Sequence, residues 1–157
     1  MTPAARVQTA IELLDRIVEA ARAKAAPADR ILAEWFRSNR FAGSKDRRAV
    51  RDHVYAAIRR SGDRPDNGRA AMVGLTHERP ELAVLFDGSA HGPAPLADDE
   101  KGSPAAAIPG WIAPLLADIV EVDALLGRAP VDLRVNRLKA LPEEIAPDFP
   151  EARPVAG

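Results

Sequence analysis

Val7, Ile11, Leu14, Val18 and Ala21 recur at steps of four, three, four and three, and Leu13 and Ile17 widen the stripe they form. That spacing puts the apolar side chains on one face of an α-helix and scatters them in any strand. Thr2 supplies an N-cap and Pro3 fits the first helical position, where no amide is needed. A helix with one long apolar face must bury it against neighbours, so the chain is expected to build a helical bundle. Alanine and leucine dominate the apolar residues, and only seven of the 157 residues are aromatic, a balance that favours helices over sheet.

The same period continues downstream. Pro27 opens a second helix whose apolar face is Ile31, Leu32, Trp35 and Phe36. Gly43 ends the turn Phe41-Ala42-Gly43, and Ser44 is expected to cap a third helix striped by Val50, Val54, Ala57 and Ile58. The run Ser61 to Gly68 reads as a loop. A helix from about Arg69 to Glu78 follows, then a short one through Leu82, Leu85 and Phe86. Residues 87–108 hold three Gly and three Pro and form an unusually long loop, with Asp98-Asp99-Glu100 expected at a solvated tip. Pro109 restarts helix, with Trp111, Ile112, Leu115, Leu116, Ile119 and Val120 on its apolar face and Leu125 and Leu126 beyond. Trp35 and Trp111 are both expected to anchor the core.

At Pro130 the pattern changes. Val131 to Leu138 alternates apolar and polar residues, the period of a strand. A lone strand needs partners that the chain does not offer. Residues 141–157 contain four prolines and few apolar residues. The fold class expected is therefore all-α, a helical domain over residues 1–128. Residues 129–157 are expected to be the first strand and irregular tail of a second, truncated domain.

Composition narrows the chemistry. There is no cysteine, which excludes disulfides, a cysteine nucleophile and thiolate metal sites, and fits a cytoplasmic location. His53, His77 and His91 share no metal-ligand spacing, so no metal is expected. No signal peptide or membrane span is read, and no membrane partner is expected. No Gly-x-Gly occurs, so no glycine loop for a nucleotide-type cofactor can be assigned.

The charge is segregated. Residues 1–34 carry five positive and five negative side chains, and residues 70–157 carry seven and fourteen. Between Trp35 and Arg69 ten Lys/Arg face four Asp/Glu, and nine of those ten cations are Arg. Segregated positive charge is the footprint of a polyanion-binding surface, and Arg forks well onto phosphate oxygens. At 100° per residue, Lys45, Arg48 and Arg59 lie opposite the apolar stripe of the third helix, with Tyr55 nearby. Arg51 sits at the border, and Arg47 projects closer to the apolar side, where its stem packs and its head snorkels. Arg37 and Arg40 end the preceding helix. The plain alternative is a solvated face, with Asp52 pairing Arg48 one turn away and Arg37 and Arg40 serving a helix C-terminus. Tyr55 suits half-buried packing, although an exposed ring could stack a base.

Five segments taken together carry a resemblance: Ala5 to Leu14, Phe41 to Arg48, Leu85 to Gly88, Pro109 to Ala113 and Asp132 to Asn136. In their order and spacing they resemble the N-terminal region of the Sun/Fmu-type (RsmB-like) ribosomal RNA cytosine-5 methyltransferases, over nearly the whole chain. The resemblance implies a NusB-like RNA-binding helical domain over 1–128. It also implies that Leu133-Arg134-Val135-Asn136 begins the small α/β domain ahead of the catalytic core. That core uses S-adenosylmethionine and two cysteines. With neither glycine loop nor cysteine, this chain carries over no catalytic and no cofactor-binding residue, so alone it is expected to be inactive.

The expected partners are ribosomal RNA and the missing methyltransferase domain. The RNA-binding residues expected are Arg6, Arg40, Lys45, Arg47, Arg48, Arg51 and Arg59. Arg6 enters because NusB-like domains use an N-terminal arginine-bearing segment, and a solvated first-turn Arg is the plain alternative. Two other functions stay open. One is a free-standing NusB-like antitermination factor, against which the predicted strand counts. The other is a protein-interaction domain that docks through helix 109–126 or the strand without touching RNA.

Overall fold

The structure is a computed structural model that describes residues 1–106, 108–116 and 133–153. The chain divides into two compact units, Met1–Asp123 and Ala124–Gly157. The described residues of the first unit form four α-helices: α1 (Pro3–Arg22), α2 (Ala28–Ser38), α3 (Ser44–Ser61) and α4 (Gly68–Thr76). Two short 3-10 segments follow, Pro80–Leu85 and Ala113–Leu116.

α1 is central. It packs against α2, α3, α4 and the first 3-10 segment, and α3 and α4 also meet each other. Its start is as expected: Thr2 Oγ1 accepts from the Ala5 amide at 3.1 Å, with Pro3 in the first turn. Val7, Leu13 and Leu14 are sealed from solvent, with Leu32, Val50, Val54, Met72 and Leu75 from the other helices. Trp35 and Phe36 close the core on the α2 side, and Leu82 and Phe86 join it where the first 3-10 segment packs against α1 and α4. The stripe ends earlier than its period implies, because Ala21 is exposed near the end of α1.

Small residues let the helices approach closely. A Cβ on Gly68 would collide with the Ile11 carbonyl oxygen and with the Leu14 side chain. The Gly68 amide instead donates to Asp15 Oδ1 at 2.6 Å, which ties the start of α4 to the middle of α1. Asn67 caps α4 by accepting from Ala70 N at 2.7 Å, so the helix begins at Gly68, one residue upstream of the expected start. Gly62 ends α3 with φ +58°, a conformation that side chains avoid.

The long loop after Phe86 is strapped to the helices. Ser103 N donates to the Ala70 carbonyl at 2.8 Å and Ala106 N to the Arg60 carbonyl at 3.0 Å. Arg69 holds Glu100 with two hydrogen bonds, 2.6 and 2.8 Å, and reaches the Ala94 and Pro95 carbonyls at 3.1 Å each. Its guanidinium also lies 5.2 Å from the Phe86 ring centroid. Asp98 and Asp99 are exposed as expected, but Glu100 is a tether and not part of a free acidic tip.

Two expectations fail in the later segments. Trp111 and Leu115, predicted in a buried helix, are 72% and 74% exposed. Pro114 lacks the amide that an α-helix through this point requires, and the chain makes turns from Pro109 and a 3-10 segment instead. Ile119, Val120, Leu125 and Leu126 lie outside the described residues.

In the second unit, residues 133–138 form no strand. Asn136 folds the chain back on itself: its side chain accepts from Leu138 N at 3.0 Å and its carbonyl from Lys139 N at 2.9 Å. With no partner strand among the described residues, alternation alone does not hold an extended chain. Residues 131 and 132 lie outside the described residues. The tail predicted to be irregular carries one α-helical turn, Pro142–Ile145, and a 3-10 turn, Ala146–Asp148.

Candidate nucleic-acid interface

The basic segment runs from the end of α2, through a turn, along α3. The turn is built by local hydrogen bonds. Asn39 donates from both its amide (2.9 Å) and its side chain (2.8 Å) to the Trp35 carbonyl, which closes α2. Ala42 N donates to the Asn39 carbonyl at 3.2 Å. The cap of α3 is Gly43, not Ser44, and the side chain that serves it is Asp46, whose Oδ2 accepts from Gly43 N at 3.2 Å. A carboxylate three residues into a helix also sits favourably against the helix dipole.

Asp46 recruits two cations from elsewhere. Arg6 Nε donates to Oδ1 at 2.8 Å, and the Met1 ammonium donates to Oδ2 at 3.3 Å. The Arg6 guanidinium holds the Asp46 carboxyl below its ordinary value of 3.8, and the Met1 ammonium and the Gly43 amide add to that against the opposing effect of burial. Asp52 finds its partner in Arg79, 2.6 Å away, rather than in Arg48. Arg79 likewise draws the Asp52 carboxyl below 3.8. Both carboxylates of α3 are thus neutralised by cations from outside the helix.

The expected RNA-binding residues therefore divide. Arg6 is occupied by Asp46 and pins α1 to α3. Arg47 Nε donates to the Ala42 carbonyl at 2.7 Å and its guanidinium lies 5.7 Å from the Phe36 ring centroid, so it braces the turn. Arg51 is exposed but rests over the same ring at 5.1 Å. Arg40, Lys45, Arg48 and Arg59 are exposed and make no ion pair with any described residue. Along α3 the exposed order is Lys45, Arg48, Arg51 and Arg59, with half-buried Tyr55 among them. Lys45 and Arg59 are separated by fourteen residues, about 21 Å of helix.

Two cations of the segment serve the fold instead. Arg60 is 6% exposed, donates to the Ser103 carbonyl, and lies 3.0 Å from Glu78 in an ion pair whose geometry falls short of a hydrogen bond. Arg69 is the loop tether. Local sequence patterns do not reveal Asp46, Arg69 and Arg79 as organisers, because most of their partners lie 25 to 45 residues away. The one local signal is the acidic residue three positions after a glycine, the spacing of a helix N3.

His53 is half-buried in α3, and burial pushes its imidazole below the ordinary value of 6.5. Among the described residues no cluster of His, Asp and Glu could hold a metal ion, and no helix is long and apolar enough to cross a membrane. No family model matches the chain, and no curated protein or solved structure matches it either.

Proposed function

We propose that this chain is a NusB-like RNA-binding accessory domain of a ribosomal RNA cytosine-5 methyltransferase, which holds substrate RNA for a catalytic domain. The observation that carries the RNA part is the charge state of α3. Its two carboxylates are consumed by Met1, Arg6 and Arg79, while Lys45, Arg48, Arg51 and Arg59 face solvent. A face stripped of its anions attracts phosphate, and cations set along a helix suit contact with a backbone more than readout of base edges. The methyltransferase part rests on the sequence resemblance. S-adenosylmethionine and a methyltransferase domain as partner belong to that reading, and in it residues 1–157 do no methyl transfer themselves.

Filter binding against ribosomal RNA fragments at several salt concentrations tests the proposal. The chain binds, and affinity falls steeply with salt. Replacing Lys45, Arg48, Arg51 and Arg59 with Ala weakens binding and lowers the log–log salt slope by about 3, at about 0.7 for each single-strand phosphate no longer neutralised. Unchanged affinity and slope in that variant reject the face.

A second reading, a protein-docking domain, draws on exposed Trp111 and Leu115. In that case the chain shows no salt-dependent RNA binding. Because residues 133–138 form no strand, that segment no longer argues against a free-standing antitermination factor, which would use the same RNA grip.

A further inference from the structure

Phe41 lies in the turn between α2 and α3 with its side chain 70% exposed. The ring is not loose. It meets the buried Trp35 edge-to-face, with centroids 6.1 Å apart and planes at 77°. Trp35 in turn meets Phe36 at 5.3 Å and 82°, and Phe36 carries the guanidinium groups of Arg47 and Arg51. The turn itself is pinned by Arg47 on the Ala42 carbonyl. Phe41 is therefore the outermost ring of a braced aromatic row, and an edge-to-face pair leaves at least one face of that ring open to solvent.

A turn that needs only to reverse the chain takes polar residues, Gly or Pro. Here the turn presents an apolar ring among cations. Arg37 and Arg40 precede it, Lys45 and Arg48 follow it, and all four are exposed with no ion pair to a described residue. Open aromatic faces set among backbone-neutralising cations are how proteins hold single-stranded nucleic acid, each base stacking on a ring while the charges follow the phosphates.

We infer that Phe41 stacks an unpaired base, and that the RNA taken by this surface is single-stranded where it crosses the α2–α3 turn. The inference rests on the RNA-binding reading above and narrows it. In an RNA duplex the base faces are covered by their neighbours and the grooves show edges, so a ring in a turn finds no partner there. Loops, bulges and strand ends offer one. The cations of α3 then position the backbone, and Phe41 selects unpaired over paired RNA. Because Trp35 already fixes the ring, little freedom is lost when a base arrives.

Fluorescence anisotropy with the full chain tests this, using one labelled RNA strand alone and the same strand annealed to its complement. Wild type binds the single strand more tightly. Phe41→Ala weakens single-strand binding about 5- to 150-fold, the range for removing one base stack. It leaves duplex affinity and both salt slopes unchanged, because every phosphate-neutralising cation is still in place. Phe41→Leu keeps the apolar bulk without the π-face and loses the same affinity, and Phe41→Trp retains it. Thermal melting shows all three variants folded, with at most the small loss expected when one aromatic contact with Trp35 is removed. Equal losses on strand and duplex, no loss on either, or a Leu variant as tight as wild type overturns the inference and leaves the cationic face standing. Binding of neither RNA at low salt overturns the RNA reading and the stack together.

Discussion

Asp46 gathers Arg6, the Met1 ammonium and the Gly43 amide at 2.8, 3.3 and 3.2 Å, so one carboxylate joins the start of α1 to the start of α3. Its lowered pKa has a definite sign for stability. A carboxylate favoured in its charged form stabilises the fold above the unfolded-state value, here 3.8, and loses that contribution as pH falls through the folded-state value. Asp46→Asn is expected to lower the Tm at neutral pH. The melting curves of variant and wild type converge as pH drops below about 4, the unfolded carboxylate value. A gap that persists at pH 2 would assign the effect to packing. The same carboxylate explains why the sequence does not show Arg6 as engaged, and Arg47 is a parallel case. Helical geometry places both at the surface, but a guanidinium is long enough to find an anion or carbonyl that a wheel does not display. Arg48, Arg59 and Lys45 lie as that geometry predicts, and no described residue forms an ion pair with them.

At the scale of elements, the helices are legible where a period of 3.6 runs unbroken and a cap residue marks the start. α1, α2 and α3 follow from Thr2, Pro27 and their apolar stripes. The prediction fails where one residue outweighs the pattern: Pro114 against a helix from 109, and Asn136 against a strand from 131. The fit of α4 on α1 rests on Gly68, and that closeness is invisible in a sequence that shows Gly68 as the end of a loop. Gly68→Ala forces the two helices apart and costs about 1–3 kcal/mol, as overpacked cores do, read as a lower midpoint in urea. Arg69 is expected to act differently. Arg69→Ala removes the tether of Glu100 and costs about 1.5–3 kcal/mol if the loop stays in place without it. A loop that peels away costs less, and hydrogen exchange then quickens at Ser103 and Ala106 while the amides of α1 remain protected. Equal exchange in variant and wild type would show that the backbone bonds to Ala70 and Arg60 suffice.

At the scale of the molecule, the sequence shows a basic middle beside an acidic second half, and the fold of the first unit deepens the basic part at α3. The anions of α3 are cancelled by cations from α1 and from the segment after α4, so the exposed charge of α3 is more positive than its composition. Charge reversal tests this as a field effect. Arg48→Glu with Arg59→Glu is expected to slow association with RNA more than it speeds dissociation, because steering acts before contact. Stopped-flow traces at low and high salt separate the two rates, and a change confined to dissociation would place these side chains in direct contact only.

The two tryptophans occupy opposite environments. Trp35 is buried at 8% exposure beside Phe41, and Trp111 is open at 72%. The chain therefore carries its own pair of optical reporters. A soluble quencher such as iodide darkens Trp111 first and leaves a residual, blue-shifted emission from Trp35. That residual light reads the α2–α3 turn without any label, and a base arriving on Phe41 changes it while Trp111 stays silent.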